Sequence, residues 1–80
     1  MIKERITTAA HKLKAEGYHN IQIFLNKEDY EDLVSQIKII HVTGLQEIVT
    51  YNGYVINKYG AGISAARGIK SGVDIKVMDV

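Results

Sequence analysis

The stretch Ile48–Val73, IVTYNGYVINKYGAGISAARGIKSGV, gathers the residues of this chain best suited to meet a phosphate. It holds three cations (Lys58, Arg67 and Lys70), five of the seven glycines and none of the nine carboxylates. Glycine lets backbone approach a ligand closely, and a run without acids does not repel an anion. The chemistry is sharpest around Asn52-Gly53-Tyr54. If a helix begins there, its free N–H groups and its dipole suit a phosphate. Asn52 then caps or donates, Gly53 permits close approach, and Tyr51 or Tyr54 offers a ring on which a base can stack. Lys27, in another strand-to-helix connection, can reach the same edge of a sheet. Lys58, Arg67 and Lys70 can touch phosphate backbone. The plainer reading is an Asn-Gly turn and a solvated helix face, with Arg67 and Lys70 favoured near a helix C-terminus by the dipole alone.

Other chemistry is thinly represented. Gly60, Ser64 and Gly68 fall four apart, as do Gly62 and Ala66, and Ala61 and Ala65. On a helix such spacing favours tight packing against a sheet or a second subunit. Gly-Ala-Gly-Ile-Ser lacks the Gly-Lys-Ser/Thr of a P-loop and the third glycine of a dinucleotide fingerprint. His11, His19 and His41 are scattered without metal-ligand spacing. Glu28, Asp29, Glu31 and Asp32 show no calcium-loop pattern and read as a solvated helix start, or as a surface for a basic partner. No Ser/His/Asp arrangement is visible. The expectation is a protein that is not an enzyme and uses no cofactor and no metal.

Eighty residues with a net charge of +1 and no cysteine imply one small domain over residues 1–80. A core of this size supplies only a few kcal/mol, and without disulfides self-association is the expected supplement. The missing cysteines fit a reducing cytoplasm. No apolar run reaches membrane-spanning length, so a cytoplasmic protein without membrane contact is expected.

The elements that would position these residues follow from periodicity. Ile2, Ile6, Ala9, Ala10 and Leu13 recur at helical spacing, so Ile2–Glu16 reads as an amphipathic helix stopped by Gly17. Ile21, Ile23 and Leu25 alternate with polar or aromatic neighbours as a strand. Asn26 reads as an N-cap, with Glu28 and Asp29 in the first turn. The helix it opens is read to continue to Val42 and to stop at Gly44, although Lys38–Thr43 is β-branched enough for a strand. Gln46–Tyr51 reads as a strand. Asn52-Gly53 suits a hairpin turn, but Val55, Ile56, Tyr59, Ile63 and Ala66 fall at helical spacing, and Tyr54–Ile69 is read as a helix. Val73, Ile75 and Val77 alternate in a closing strand.

The segment EIVTYNGYVINKYGAGISAARGIKSGVDIKV, Glu47–Val77, resembles the Alba superfamily of small nucleic-acid-binding proteins, nearest its bacterial stage V sporulation protein S branch. The residues that carry the likeness are Glu47, Ile48, Gly53, Ile56, Asn57, Ala66, Arg67, Gly68, Ser71, Gly72, Val73 and Asp74. The resemblance implies an α/β fold: an added N-terminal helix over residues 1–17, then an Alba-like β-α-β-α-β core over residues 20–80 that lacks the family's long C-terminal hairpin. It implies a homodimer that binds RNA or DNA with low sequence specificity through Lys27, Asn52, Gly53, Tyr54, Lys58, Arg67 and Lys70. A regulatory protein-interaction module on the same fold is the alternative, favoured by near-neutral charge. A small-nucleotide site at Gly53 is the third.

Overall fold

In a computed structural model that describes residues 1–37, 40–43, 46–60 and 62–80, helix α1 spans Ile2–Ala15 and buries Ile2, Ile6, Ala9, Ala10 and Leu13. These are the positions that the 3.6-residue period selects. Strand β1, His19–Asn26, buries Ile23 and Leu25. Asn26 then caps helix α2, Lys27–Gln36, its Oδ1 accepting from the Asp29 N–H at 2.8 Å. This cap satisfies a helix N–H that has no partner inside the helix. Strands β2 (Ile40–Thr43), β3 (Gln46–Tyr51), β4 (Tyr54–Gly60), β5 (Ala65–Lys70) and β6 (Asp74–Asp79) complete the chain.

The strands form one mixed sheet in the order β2-β3-β4-β1-β5-β6. β1 runs parallel to β4, and the other neighbours are antiparallel. α1 packs on β1, β5 and β6, and α2 packs on β1 and β4. The result is a two-layer α+β fold whose core lies between the helices and one face of the sheet, around Ile6, Leu13, Ile23, Leu25, Leu33, Val49, Ile56 and Ala66. Among the described residues, no helix is long and apolar enough to cross a membrane.

Three expectations are corrected. Tyr54–Ile69 is not a helix but β4, a connection and β5. The Asn-Gly signal prevails: Asn52 and Gly53 have φ of 52° and 81°, and Tyr51 pairs with Tyr54 across a two-residue hairpin turn. Tyr54, Val55, Ile56 and Tyr59 are strand formers, and Gly62 at φ 105° ends any right-handed helical path. The small residues spaced four apart therefore do not line one helix face, and Ala61 lies outside the described residues. Second, α2 ends at Gln36, with Ile37 already extended. Ile40–Thr43 is a strand paired with β3, so β-branching outweighs the extended helical period; the proposed stop at Gly44 lies outside the described residues. Third, the order after α1 is β-α-β-β-β-β-β rather than β-α-β-α-β, and a C-terminal hairpin, β5–β6, is present.

Two details hold the layers together. Arg5 Nη1 and Nη2 each donate to an Asp29 carboxylate oxygen at 3.1 Å. The fully buried Ser64 hydroxyl donates to Asp29 Oδ2 at 2.6 Å and accepts from the Asn26 N–H at 2.9 Å. One carboxylate thus ties α1, α2 and the β4–β5 connection to the end of β1. Burial pushes the Asp29 carboxyl up, but the hydrogen bonds from Ser64 and Arg5, and the Arg5 charge, outweigh it and hold it below the usual aspartate range.

The second detail is Gly68. A Cβ there would stand 2.8 Å from Tyr18 Cβ and 3.0 Å from Ile21 Cδ1. The Tyr18 atom is tethered to backbone and cannot swing away. Gly68→Ala is therefore expected to destabilise the fold by about 1–3 kcal/mol through overpacking, read as a lower urea midpoint at unchanged m-value.

Candidate interaction surface

The helices cover one face of the sheet, and strand alternation dictates what the other face presents. Because Ile23, Leu25, Val49, Ile56 and Ala66 point into the core, their neighbours Phe24, Ile48, Val55, Asn57, Ala65 and Arg67 point away from it. On β6, Met78 packs against the core, so Ile75, Val77 and Asp79 lie on the open side. Ile48, Val55, Tyr59, Ile75 and Val77 are exposed by 39% to 60%. They form two groups, one on β3 and β4 and one on β6, with β1 and β5 between them, and no element among the described residues covers them.

The centre of this face is ordered by polar contacts within it. The Phe24 and Tyr59 rings meet edge to face, with centroids 6.4 Å apart. The Arg67 guanidinium lies 5.2 Å from the Phe24 centroid and donates to Gln22 Oε1 at 3.1 Å. The register explains this cluster: Phe24 sits beside Asn57 of β4 and Ala65 of β5, and Gln22 beside Arg67. Asn57 turns its amide inward along the sheet and donates to the Ile23 carbonyl at 3.0 Å.

The seven residues expected to bind nucleic acid are not brought together. Asn52 and Gly53 form the exposed β3–β4 turn, which begins no helix, so the free N–H groups argued for a phosphate are not there. Lys27 does not share their edge. β1 and β4 are parallel; Asn52-Gly53 precedes β4, while Lys27 follows β1, at the opposite end of the sheet. Lys58, beside Leu25 in register, belongs to Lys27's end and lies on the helix-covered side, its Nζ 5.0 Å from the Tyr30 ring centroid. Tyr54 also faces the helices, with Lys14 Nζ 4.9 Å from its ring centroid. Lys70 ends β5 at the same end as Asn52-Gly53, where it donates to the Glu16 carbonyl at 3.2 Å and lies over Tyr18. Of the seven, Arg67 alone stands on the open face.

The residues that do share that face, Phe24, Val55, Tyr59, Ile75 and Val77, were absent from the sequence-derived set. Their signal was the two-residue alternation in 54–59 and 73–77, which a helical reading of the first segment conceals. Ser64 spends both hydrogen-bonding capacities on Asp29 and Asn26 and is shut off from solvent. Among the described residues, no group of three or more His, Asp or Glu is placed to hold a metal. No family model, curated protein or solved structure matches the chain.

Proposed function

We propose that this protein is a small interaction module that works through the open face of its sheet, and that the surface it takes is protein. The carrying observation is two groups of exposed apolar side chains on the open face, Ile48, Val55 and Tyr59 on β3 and β4 and Ile75 and Val77 on β6, with Phe24 and Arg67 on the strands between them. Clustered exposed apolar side chains on a sheet face mark interaction sites on soluble proteins. Covering one of these half-exposed isoleucines or valines yields about 1 kcal/mol, a gain that an apolar partner returns. Charge argues the same way. Nucleic-acid affinity comes largely from cations on phosphate, whereas the described part of this face carries Arg67 offset by Asp79, and Lys27, Lys58 and Lys70 lie elsewhere. A cytoplasmic, non-enzymatic role belongs to the same proposal.

The second reading is single-stranded nucleic acid, favoured by Phe24, Tyr59 and Arg67 standing together on an open sheet and by the resemblance to Alba proteins. Aromatic stacking contributes about 1–3 kcal/mol per base. Titration of single-stranded RNA, single-stranded DNA and duplex DNA at two salt concentrations separates the two. The protein-interaction reading expects no saturable binding even at low salt. Saturable binding that Phe24→Ala and Arg67→Glu each weaken by about tenfold or more would replace it with the nucleic-acid reading.

A further inference from the structure

We infer that the outer edge of β6, with the cleft between it and α1, takes an extended peptide of a partner protein as an added strand. This surface is distinct from the open face, and either can fail without the other. Three observations support it.

The first is the edge. β6 ends the sheet and pairs with β5 alone, through six successive residue pairs from Lys70 with Asp74 to Ala65 with Asp79. Its other side presents main-chain N–H and C=O groups, which an incoming extended chain can pair. Natural edges are guarded by proline, a bulge or free charge. β6 holds no proline, and its register with β5 runs without a shift. Two of its three charged residues are held toward the helix layer. Lys76 Nζ donates to Glu16 Oε1 at 2.6 Å, and Asp74 Oδ1 accepts from the Tyr18 hydroxyl at 3.3 Å.

The second is the cleft. α1 packs beside β6 and runs antiparallel to it, since Arg5 meets Val80 and Glu16 meets Lys76. Between them lies a cleft of about 290 Å³, with Ala9 and Met78 in its lining. Glu4, Thr8 and Lys12 also line it, and their spacing of four places them along one side of the helix. The volume falls just below the roughly 300–1,000 Å³ of small-molecule sites. It suits the side chains that every second residue of an added strand turns toward the helix.

The third is charge. Arg5 is committed to Asp29 and to the Val80 carbonyl. Glu4 and Lys12 are exposed, and among the described residues neither side chain has a hydrogen-bond or ion-pair partner. The cleft is therefore acidic at the start of α1 and basic further along. Eight residues of helix, from Glu4 to Lys12, rise about 12 Å, the length of about four residues of strand. A peptide antiparallel to β6, the more stable pairing, runs parallel to α1. Its matching order is basic, any, apolar, any, acidic.

Fluorescence anisotropy with a labelled, end-capped Thr-Lys-Thr-Val-Thr-Glu-Thr peptide tests this, beside the same peptide with Lys and Glu exchanged. The expected result is saturable binding below about 1 mM. The exchanged peptide should bind roughly tenfold more weakly, because two attractive pairs become repulsive. The double variant Glu4→Lys with Lys12→Glu, altered at exposed positions, should reverse that preference, and Lys12→Glu alone should abolish it. Far-UV circular dichroism checks that both are folded. Amide shifts in nuclear magnetic resonance should fall on residues 77–79 and 8–12. Absence of saturable binding, or equal affinity for the two peptides, overturns the inference. Shifts on Val55 and Tyr59 instead also overturn it, and leave the open-face reading standing. Shifts in β6 that grow with protein concentration alone place a second copy at the edge and overturn it as well.

Discussion

Asp29→Ala should lower the stability of the protein by about 3 kcal/mol, a fall of roughly 15 °C in melting temperature for a domain of this size. The carboxylate takes charge-assisted hydrogen bonds from both Arg5 guanidinium donors and from Ser64. The partners differ in what they lose. Arg5, with its side chain 45% exposed, is rehydrated at little cost, and Arg5→Ala alone should cost under about 1 kcal/mol. Ser64 is buried, and its hydroxyl is left without an acceptor in a place water does not reach, which carries most of the penalty. Ser64→Ala should cost about 1–2 kcal/mol, and the Asp29/Ser64 double variant less than the sum of the singles. Additive losses would show that the two side chains are not coupled.

The same carboxylate gives the fold an acid sensitivity of definite sign. Asp29 is held below its ordinary range in the folded state, so its protonation is easier when the chain is unfolded. Its contribution is complete above the ordinary aspartate range and is lost as pH falls through that range toward the depressed folded value. Chemical denaturation from neutral pH down to about pH 3 should show the wild type losing more stability than Asp29→Asn, whose side chain does not titrate. Parallel curves would contradict the assignment.

Leu25→Ala should be comparably severe, at about 3 kcal/mol and within the 2–5 kcal/mol of large-to-small core changes. Leu25 is fully buried on the central strand, and α1 and α2 both pack on that strand. Their rigid surfaces cannot collapse far into the space the side chain leaves, so the lost transfer energy is joined by a cavity term. The opposite face of the same sheet supplies the contrast. Val55→Glu, at a solvent-exposed position of the neighbouring β4, should cost the monomer under about 1 kcal/mol. Urea unfolding of monomeric protein measures both, and equal losses would mean that the two faces are not the buried and open sides described.

Features that depend on neighbours in sequence were legible in the chain. The buried stripe of α1 follows from residues three and four apart, and the Asn26 cap from a side chain beside the N–H groups it serves. The Asn52-Gly53 turn was equally legible, because both residues tolerate positive φ and the dipeptide suits a two-residue hairpin. Its signal was overridden by a coincidence: Val55, Ile56, Tyr59, Ile63 and Ala66 satisfy a helical spacing. Local sequence cannot break such a tie, since short apolar segments rich in β-branched residues are compatible with either period.

The tie is broken by pairing between distant segments. β4 lies parallel to β1, with Ile56 beside Ile23, and β5 lies on β1's other side, with Ala66 beside the same Ile23. Hydrogen bonds to a strand about thirty to forty residues away satisfy backbone groups that a helix would have satisfied within itself. The candidate surface was decided at that level too. Alternation shows that Val55 and Ile56, or Ile75 and Lys76, face opposite ways, but not which way is in. That choice belongs to α1 and α2, which cover the side holding Ile23, Leu25 and Ile56 and leave Phe24, Val55, Tyr59 and Val77 outside. The composition of Ile48–Val73 was set by sequence alone, together with the turn that opens its hairpin. Tertiary packing distributed its side chains, placing Lys58 on the helix side of the sheet, exposed beside Tyr30, and Arg67 on the open face, because the side of a strand that faces the core is settled only when the other layer docks.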